Sequence, residues 1–301
     1  MATKRVLVGG GTGFVGTHLN KFLTTNNYNV INISRMPAAK NLSWTDLETS
    51  GLPSSTSAVV NLAGQQFMDF TKLWTPGFKQ NVFNSRVYTT RALATAINKS
   101  KDKPDVFVLI TGVGAYEPSE KNRYDESSPS TGNDFFSKLL VKWEKAAEVD
   151  PPVRLVIIRS GVVLGRDGGM IKNMILPFYL GLGGPIASGK QYLPWIHIED
   201  LIRLIKFSIE NKEVKGILNG VAPQVITNAD FTKEFAKALS RPAFFPVPEF
   251  VLNTLLHKER AMMLTQGQHV TPKRTLEYGF EYKYPTIDLA CAECAHLFSK
   301  N

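Results

Sequence analysis

The stretch that most constrains the fold lies near the start of the chain, "RVLVGGGTGFVG", residues 5 to 16. A β-branched, aliphatic run passes directly into glycines, and helical spacing begins at Phe14. A strand, a glycine turn and a helix in immediate succession open a βαβ unit. Gly10, Gly13 and Gly16 are spaced G-x-x-G-x-x-G. The turn needs backbone angles that glycine adopts cheaply, Gly13 lets backbone approach a pyrophosphate, and Gly16 lets the helix lie close on the strand. Thr12, Gly13, Phe14 and Val15 then bring helix N-terminal amides towards the phosphates.

The following segments keep the same alternation. "YNVINISR" (28 to 35), "SAVVNLAG" (57 to 64), "DVFVLITGVGAY" (105 to 116) and "VRLVIIRSGVVLG" (153 to 165) are nearly continuous apolar strands, as in a parallel sheet covered on both faces. Helical patterns near 14 to 26, 77 to 99 and 134 to 148 separate them. The expectation is an α/β fold, a doubly wound parallel sheet with a smaller, mostly helical C-terminal lobe. Residues 1–165, rejoined by about 195–221, form the dinucleotide-binding domain; 166–194 and 222–301 form the lobe that shapes a substrate cleft.

Charge and composition remove several classes. The chain has 301 residues, 43% hydrophobic, with a formal net charge of +9. The basic residues are scattered, without a run that would mark a nucleic-acid arm. No apolar run reaches the roughly 18 residues of a membrane span. The N-terminal "MATKRVLVGG" enters a strand at once, without room for a leader. Cys291 and Cys294 form a lone C-x-x-C, which reads as two thiols on a terminal helix and not as a metal site. The expectation is a soluble intracellular protein, cytoplasmic by default, with no metal. Its small-molecule substrate and oligomeric state stay open.

The second strand ends in "NISRMP". A site for NAD would place a carboxylate there to hold the ribose 2'-hydroxyl. Ser34 and Arg35 stand in its place, and an arginine fork with a serine hydroxyl suits a 2'-phosphate. The expected cofactor is NADP.

Four further pieces carry a resemblance. They are "NLAG" (Asn61 to Gly64), "KQNVFNSRVYTTRAL" with Asn81 and Arg86, "SKLLVKWE" with Lys138 and Glu144, and "PWIHIEDL" with His197 and Asp200. With the glycine loop, and over residues 5 to about 240, they resemble the extended short-chain dehydrogenase/reductase family. Together with the tail they look most like its nucleotide-sugar-epimerase-like branch, sometimes labelled cell-division-inhibitor-like, which has its own short C-terminal domain. The resemblance implies a Rossmann domain binding NADP. Leu62, Ala63 and Gly64 would line adenine and ribose, Asn81 and Arg86 would lie near the cofactor, Lys138 would hold the nicotinamide ribose, and Val163 would lie beside the nicotinamide.

The same resemblance exposes a gap. Family members use a tyrosine four residues before the lysine as acid/base, its pKa lowered by the ammonium, and a serine or threonine to orient the carbonyl. Here Asp134 stands four before Lys138, residues 135 and 136 are phenylalanine, and Gly112 takes the Ser/Thr position with Thr111 adjacent. Asp134 reads as a helix cap that also forms a surface ion pair with Lys138. Tyr116, at the end of its strand, reads either as a substitute proton donor or as a packed tyrosine, so Tyr116 and Lys138 are the catalytic candidates. His197 alternates with apolar neighbours and reads as a tie between loops; Phe67, Trp74, Tyr192 and Trp195 read as a substrate wall or as core. Three functions remain: an NADP-dependent oxidoreductase acting on a small or nucleotide-linked carbonyl or alcohol, a non-catalytic NADP(H)-binding sensor or interaction module, and, more weakly, a nucleotide-sugar epimerase.

Overall fold

Strand β1 (Arg5–Gly9) buries every residue after Arg5, and its alternate side chains enter two different cores. The structure is a computed structural model that describes residues 3–35, 41–69 and 71–296. Val6 and Val8 share one core with Ala58 and Val60 of β4 (Thr56–Asn61), Val108 and Ile110 of β5 (Val106–Gly112), and Val156 and Ile158 of β7 (Arg154–Ser160). Leu7, Val59, Phe107, Leu109 and Ile157 face the other way. The period of two thus distributes each apolar run between two layers. Helices α1 (Phe14–Thr25) and α6 (Ile198–Glu210) cover the first layer with Leu19, Leu23, Leu201 and Ile205. Helices α2 (Trp44–Ser50), α3 (Pro76–Lys99) and α4 (Phe135–Lys145) cover the second with Leu47, Val82, Leu93, Leu139 and Trp143.

The main sheet has seven strands, adding β2 (Asn29–Ser34), β3 (Asn41–Ser43) and β10 (Gly216–Gly220), in the order β10-β7-β5-β4-β1-β2-β3, all parallel. The chain winds outward in both directions from β1, so the crevice at the carboxyl ends of β1 and β4 is the switch point where such sheets bind ligands. This is the expected doubly wound architecture.

Two details differ from the sequence reading. The polar segment "NLSWTDLETS" forms β3 and α2, started by a capping box in which Ser43 and Asp46 exchange hydrogen bonds. The long apolar run of residues 153 to 165 is not one strand. It breaks at Gly161, where a Cβ would lie 2.6 Å from the Pro194 carbonyl oxygen, and continues as β8 (Val162–Leu164), which pairs with β9 (Trp195–His197) outside the main sheet.

The C-terminal residues pack around α5 (Gly169–Tyr179), α7 (Asn228–Ala238) and α11 (Ile287–Cys294), with Phe178, Trp195, Phe231 and Phe235 at the centre. Cys291 and Cys294 both lie in this core, and burial pushes the Cys291 thiol far above the usual thiol range. The remaining elements are α8 (Glu249–Leu256), α9 (Lys258–Thr265), β11 (Gln268–Val270) and α10 (Lys273–Glu277), with β11 pairing to β6 (Ser119–Tyr124). Among the described residues no helix is long and apolar enough to cross a membrane, and no group of His, Cys, Asp and Glu could hold a metal ion.

Candidate functional site

The three loop glycines serve different ends. Gly10 has φ +77°, and a Cβ there would meet the Ala63 amide at 2.7 Å. Gly16 would put a Cβ 2.4 Å from the Gly10 carbonyl oxygen, so it is fixed by the contact of α1 with the loop. Gly13 has an ordinary φ of −80°, and a Cβ there would meet only the Gly10 oxygen, at 3.4 Å. Neither backbone nor packing therefore demands glycine at 13, and the space in front of the N-terminus of α1 is left open by it. No side chain caps that helix, so its first-turn amides suit an anion in front of them. These residues fit a dinucleotide pyrophosphate.

Beneath the loop lies a support that the sequence reading did not identify. Asn20 Nδ2 donates to the Gly11 carbonyl and to Asn32 Oδ1, both at 2.9 Å. A Cβ on Gly11 would sit 1.8 Å from that Asn32 oxygen. Spacing gives no sign of this clamp, because Asn20 and Asn32 belong to different elements. Beside it, the Gly10 amide donates to the Ile33 carbonyl at 3.3 Å. That bond ties the phosphate loop to the end of β2, where Ser34 is buried and Arg35 is exposed.

Leu62, Ala63 and Gly64 follow β4 and lie next to the loop. The Leu62 amide donates to Gly9 O at 2.8 Å, and the Ala63 amide donates to Asn61 Oδ1 at 3.0 Å. Asn61 is held in turn by Thr90, which also accepts from Trp143 Nε1, each bond 2.8 Å. Arg86 is placed below this segment. Its guanidinium donates to Gln65 O at 2.9 Å and to Val82 O at 3.2 Å, between the rings of Phe67 and Trp143. Burial pulls its pKa down to about 10. A Cβ on Gly64 would approach Arg86 Cζ to 3.0 Å, so any larger residue at 64 would press on the arginine packed under it. Asn81 is exposed on α3, one turn before Ser85, whose hydroxyl accepts from the Gln65 amide.

Phe14, Val15, Leu62 and Val163 each pack as half-buried side chains against the first core. Phe14 also fills the space over Gly165 and Gly168, where a Cβ would lie 2.7 and 2.3 Å from its ring. Lys138 is exposed on α4, on the side opposite Ser137, Leu139 and Leu140.

The catalytic candidates change most. Tyr116 is 0% exposed. Its hydroxyl lies 2.9 Å from Asn219 Oδ1, its ring stacks on Tyr124, and the Arg159 guanidinium lies 4.9 Å from its centroid. Burial raises its pKa further. Tyr116 is therefore a core residue out of a substrate's reach, and it is withdrawn as a proton donor. Thr111 is also buried and donates to Glu144 at 3.1 Å, so a one-residue shift of the motif does not supply the missing hydroxyl. At Gly112 a Cβ would find only Ser160 O, at 3.9 Å; packing alone does not exclude serine there.

Asp134 is the N-cap of α4. Its carboxylate accepts from the amides of Phe136 at 2.7 Å and Ser137 at 3.0 Å, and Ser137 returns a bond to the Asp134 amide. Asp134→Ala is expected to lower the unfolding free energy by about 1 kcal/mol in urea titration; an unchanged midpoint would remove the cap from the account.

His197 caps α6 in the same way, its Nδ1 accepting from the Glu199 amide at 3.3 Å. Burial lowers its pKa to about 4. The unfolded chain, with an ordinary histidine near 6.5, takes up this proton first. This stabilisation is complete above pH 6.5 and is lost as pH falls towards 4, by at most about 3 kcal/mol. A His197→Asn variant, which keeps a capping acceptor, should lose less stability than the unmodified protein over that interval in pH-dependent denaturation. Parallel losses would show that His197 does not titrate as described. Asp200 is a tether, accepting from the amides of Lys283 and Tyr284 at 2.7 and 2.8 Å. Of the aromatic candidates, Trp195 and Trp74 are core, while Phe67 and Tyr192 are half-buried.

The sheet order and glycine loop agree with what comparison with known proteins finds. The family model described as the NAD dependent epimerase/dehydratase family matches residues 6–219. The chain belongs to the NAD dependent epimerase/dehydratase family. A second model, a domain of unknown function (DUF1731), matches residues 247–294; this pairing is the epimerase-like branch with its own C-terminal domain. Epimerase family protein SDR39U1 of Bos taurus is 49% identical over 291 residues, 96% of this chain and 99% of that protein. The crystal structure of human epimerase family protein SDR39U1 (isoform 2) with NADPH superposes with a TM-score of 0.96 at 47% identity, covering 98% of this chain and 100% of that one. More distantly, a nucleoside-diphosphate sugar epimerase from Corynebacterium glutamicum has a TM-score of 0.77 at 25% identity, over 98% of this chain and 58% of that one. At the position four before Lys138, where the resemblance leads one to expect a tyrosine, this chain has Asp134, which caps α4.

Proposed function

We propose that this chain binds NADP(H) across the carboxyl ends of β1, β2 and β4 and acts as an oxidoreductase on a small or nucleotide-linked carbonyl or alcohol. The observation that carries the reading is the end of β2. Arg35, exposed there and joined to the phosphate loop through Ile33 and Gly10, offers a 2'-phosphate a guanidinium where an NAD site needs a carboxylate. The human relative solved with NADPH supports it.

In this reading the amides of Phe14 and Val15 hold the pyrophosphate, Arg35 holds the 2'-phosphate, and the Lys138 ammonium, exposed on α4, holds ribose hydroxyls. Bound NADPH supplies the hydride. With Tyr116 and Thr111 both committed to the core, the proton on the substrate oxygen comes from water, and catalysis rests on proximity and orientation. The second reading, an NADP(H)-binding module without turnover, is favoured by the same committed hydroxyls and by the Asp134 carboxylate spent on the helix cap.

The two are separated by saturating the protein with NADPH and following loss of reduced nicotinamide across aldehydes, ketones and keto-sugar nucleotides. Turnover above the protein-free rate that Lys138→Met abolishes supports the oxidoreductase. Tight NADPH binding with no oxidation across the panel would leave the binding module.

A further inference from the structure

The loop of residues 62–75 contains the segment 62–64 that the NADP(H) reading places at the cofactor, and its described residues form no helix or strand. A loop of that length without secondary structure is uncommon in a compact domain and is usually either functional or disordered, so contacts that order it matter. Ser85 and Arg86 of α3 hold it at Gln65, and at Asp69, Lys72 and Trp74 it is held by α9, which lies inside the C-terminal match of unknown function at residues 247–294. Arg260 is 2% exposed, and its guanidinium donates to Lys72 O at 2.8 Å and Asp69 O at 3.0 Å, lying over the rings of Trp74 and Phe78 at 4.9 and 5.2 Å. The neighbouring Glu259 accepts from Trp74 Nε1 at 2.6 Å and pairs with Lys79 at 2.5 Å. At the start of α9, His257 has φ +69° and its Nδ1 accepts from the Glu259 amide. A non-glycine residue in that conformation stores strain that the surrounding structure must maintain, and here it turns α9 out of α8 so that both charged residues meet the loop.

From Trp74 the contact divides towards both halves of the candidate site. Its indole stacks on Phe136 at 5.6 Å and 22° and meets Phe135 edge-on; these are the first residues of α4, just before Lys138. Phe136 in turn meets Phe67, and Phe67 lies against Arg86, the residue that donates to Gln65 O beside Gly64. We propose that Glu259 and Arg260 are positioning residues through which the C-terminal domain sets the cofactor site, fixing the 62–65 segment and the Lys138 turn by one clamp on Trp74. This rests on the NADP(H) reading. Preorganising both segments before binding removes an ordering cost that the ligand would otherwise bear.

The test combines NADPH titration with amide hydrogen exchange on the full chain, using Arg260→Lys, which keeps the charge but not the fork, and Trp74→Phe, which keeps the ring but not the N–H. In the absence of cofactor, exchange should quicken over 62–74 and 135–139 while β1 and β5 stay protected. NADPH should bind about tenfold more weakly to either variant, and saturating NADPH should restore slow exchange. Unchanged affinity with quickened exchange would overturn the clamp, as would faster exchange throughout the sheet, which marks a merely structural role. If the unmodified protein binds no NADPH, the cofactor reading fails by itself, while local exchange in the variants still reports whether α9 holds the loop.

Discussion

Arg35→Glu is expected to bind NADPH roughly a hundredfold or more weakly than the unmodified protein while its affinity for NADH changes little. A guanidinium forked on a phosphate contributes about 1.5–3 kcal/mol, and replacing it by a carboxylate adds repulsion to that loss. NADH carries no 2'-phosphate, and a glutamate at the end of β2 can accept from its ribose hydroxyls as an NAD site does. The change is in ligand preference and not in the fold, since Arg35 is exposed. Titrations of both nucleotides belong at one ionic strength, because an exposed charge pair is screened by salt. An equal fall for the two would place Arg35 outside the 2'-phosphate site.

The largest effect on stability is expected at Glu144. It is 12% exposed and takes the Arg159 guanidinium through two bonds, Nε at 2.9 Å and Nη2 at 2.7 Å, with Arg159 2% exposed. Burial opposes the arginine charge, and the bonds and charge of Glu144 outweigh it, leaving its pKa raised. Glu144→Ala removes the compensating carboxylate and leaves the cation buried against Tyr116, at a cost of about 3–5 kcal/mol. It also takes away the acceptor of the Thr111 hydroxyl. Adding Arg159→Met should recover part of the loss, since a buried pair replaced by apolar groups is far less costly than a pair broken on one side. Urea denaturation of the single and double variants measures this, and a single variant within about 1 kcal/mol of the unmodified protein would mean that the pair is solvated.

Much of the molecule is written in local pattern. The alternating apolar runs specify two-faced strands because period two puts Val6 and Leu7 on opposite layers, and the Asp134 cap is readable from its position before a helical run. What escaped the sequence depends on residues far along the chain. Gly161 breaks an apolar run because the Pro194 backbone passes against it. Tyr116 is disarmed by Asn219, 103 positions later, and Trp74 is fastened by Glu259, 185 positions later. Gly64 reads from the sequence only as a cofactor-side glycine, and nothing local announces that Arg86, on α3, packs beneath it. The glycine loop was therefore legible as a motif, whereas the contacts that bury Tyr116 and fasten Trp74, being long-range in sequence, were not.

The central claim is that a dinucleotide bearing a 2'-phosphate lies along β1, β2 and β4, and a crystal structure of this chain with NADPH tests it most directly. The expected structure has the pyrophosphate against Gly13 at the N-terminus of α1, the 2'-phosphate within hydrogen-bonding distance of Arg35, and a ribose hydroxyl within reach of Lys138 Nζ. A nucleotide bound elsewhere, or one whose 2'-phosphate points away from Arg35 into solvent, would contradict it.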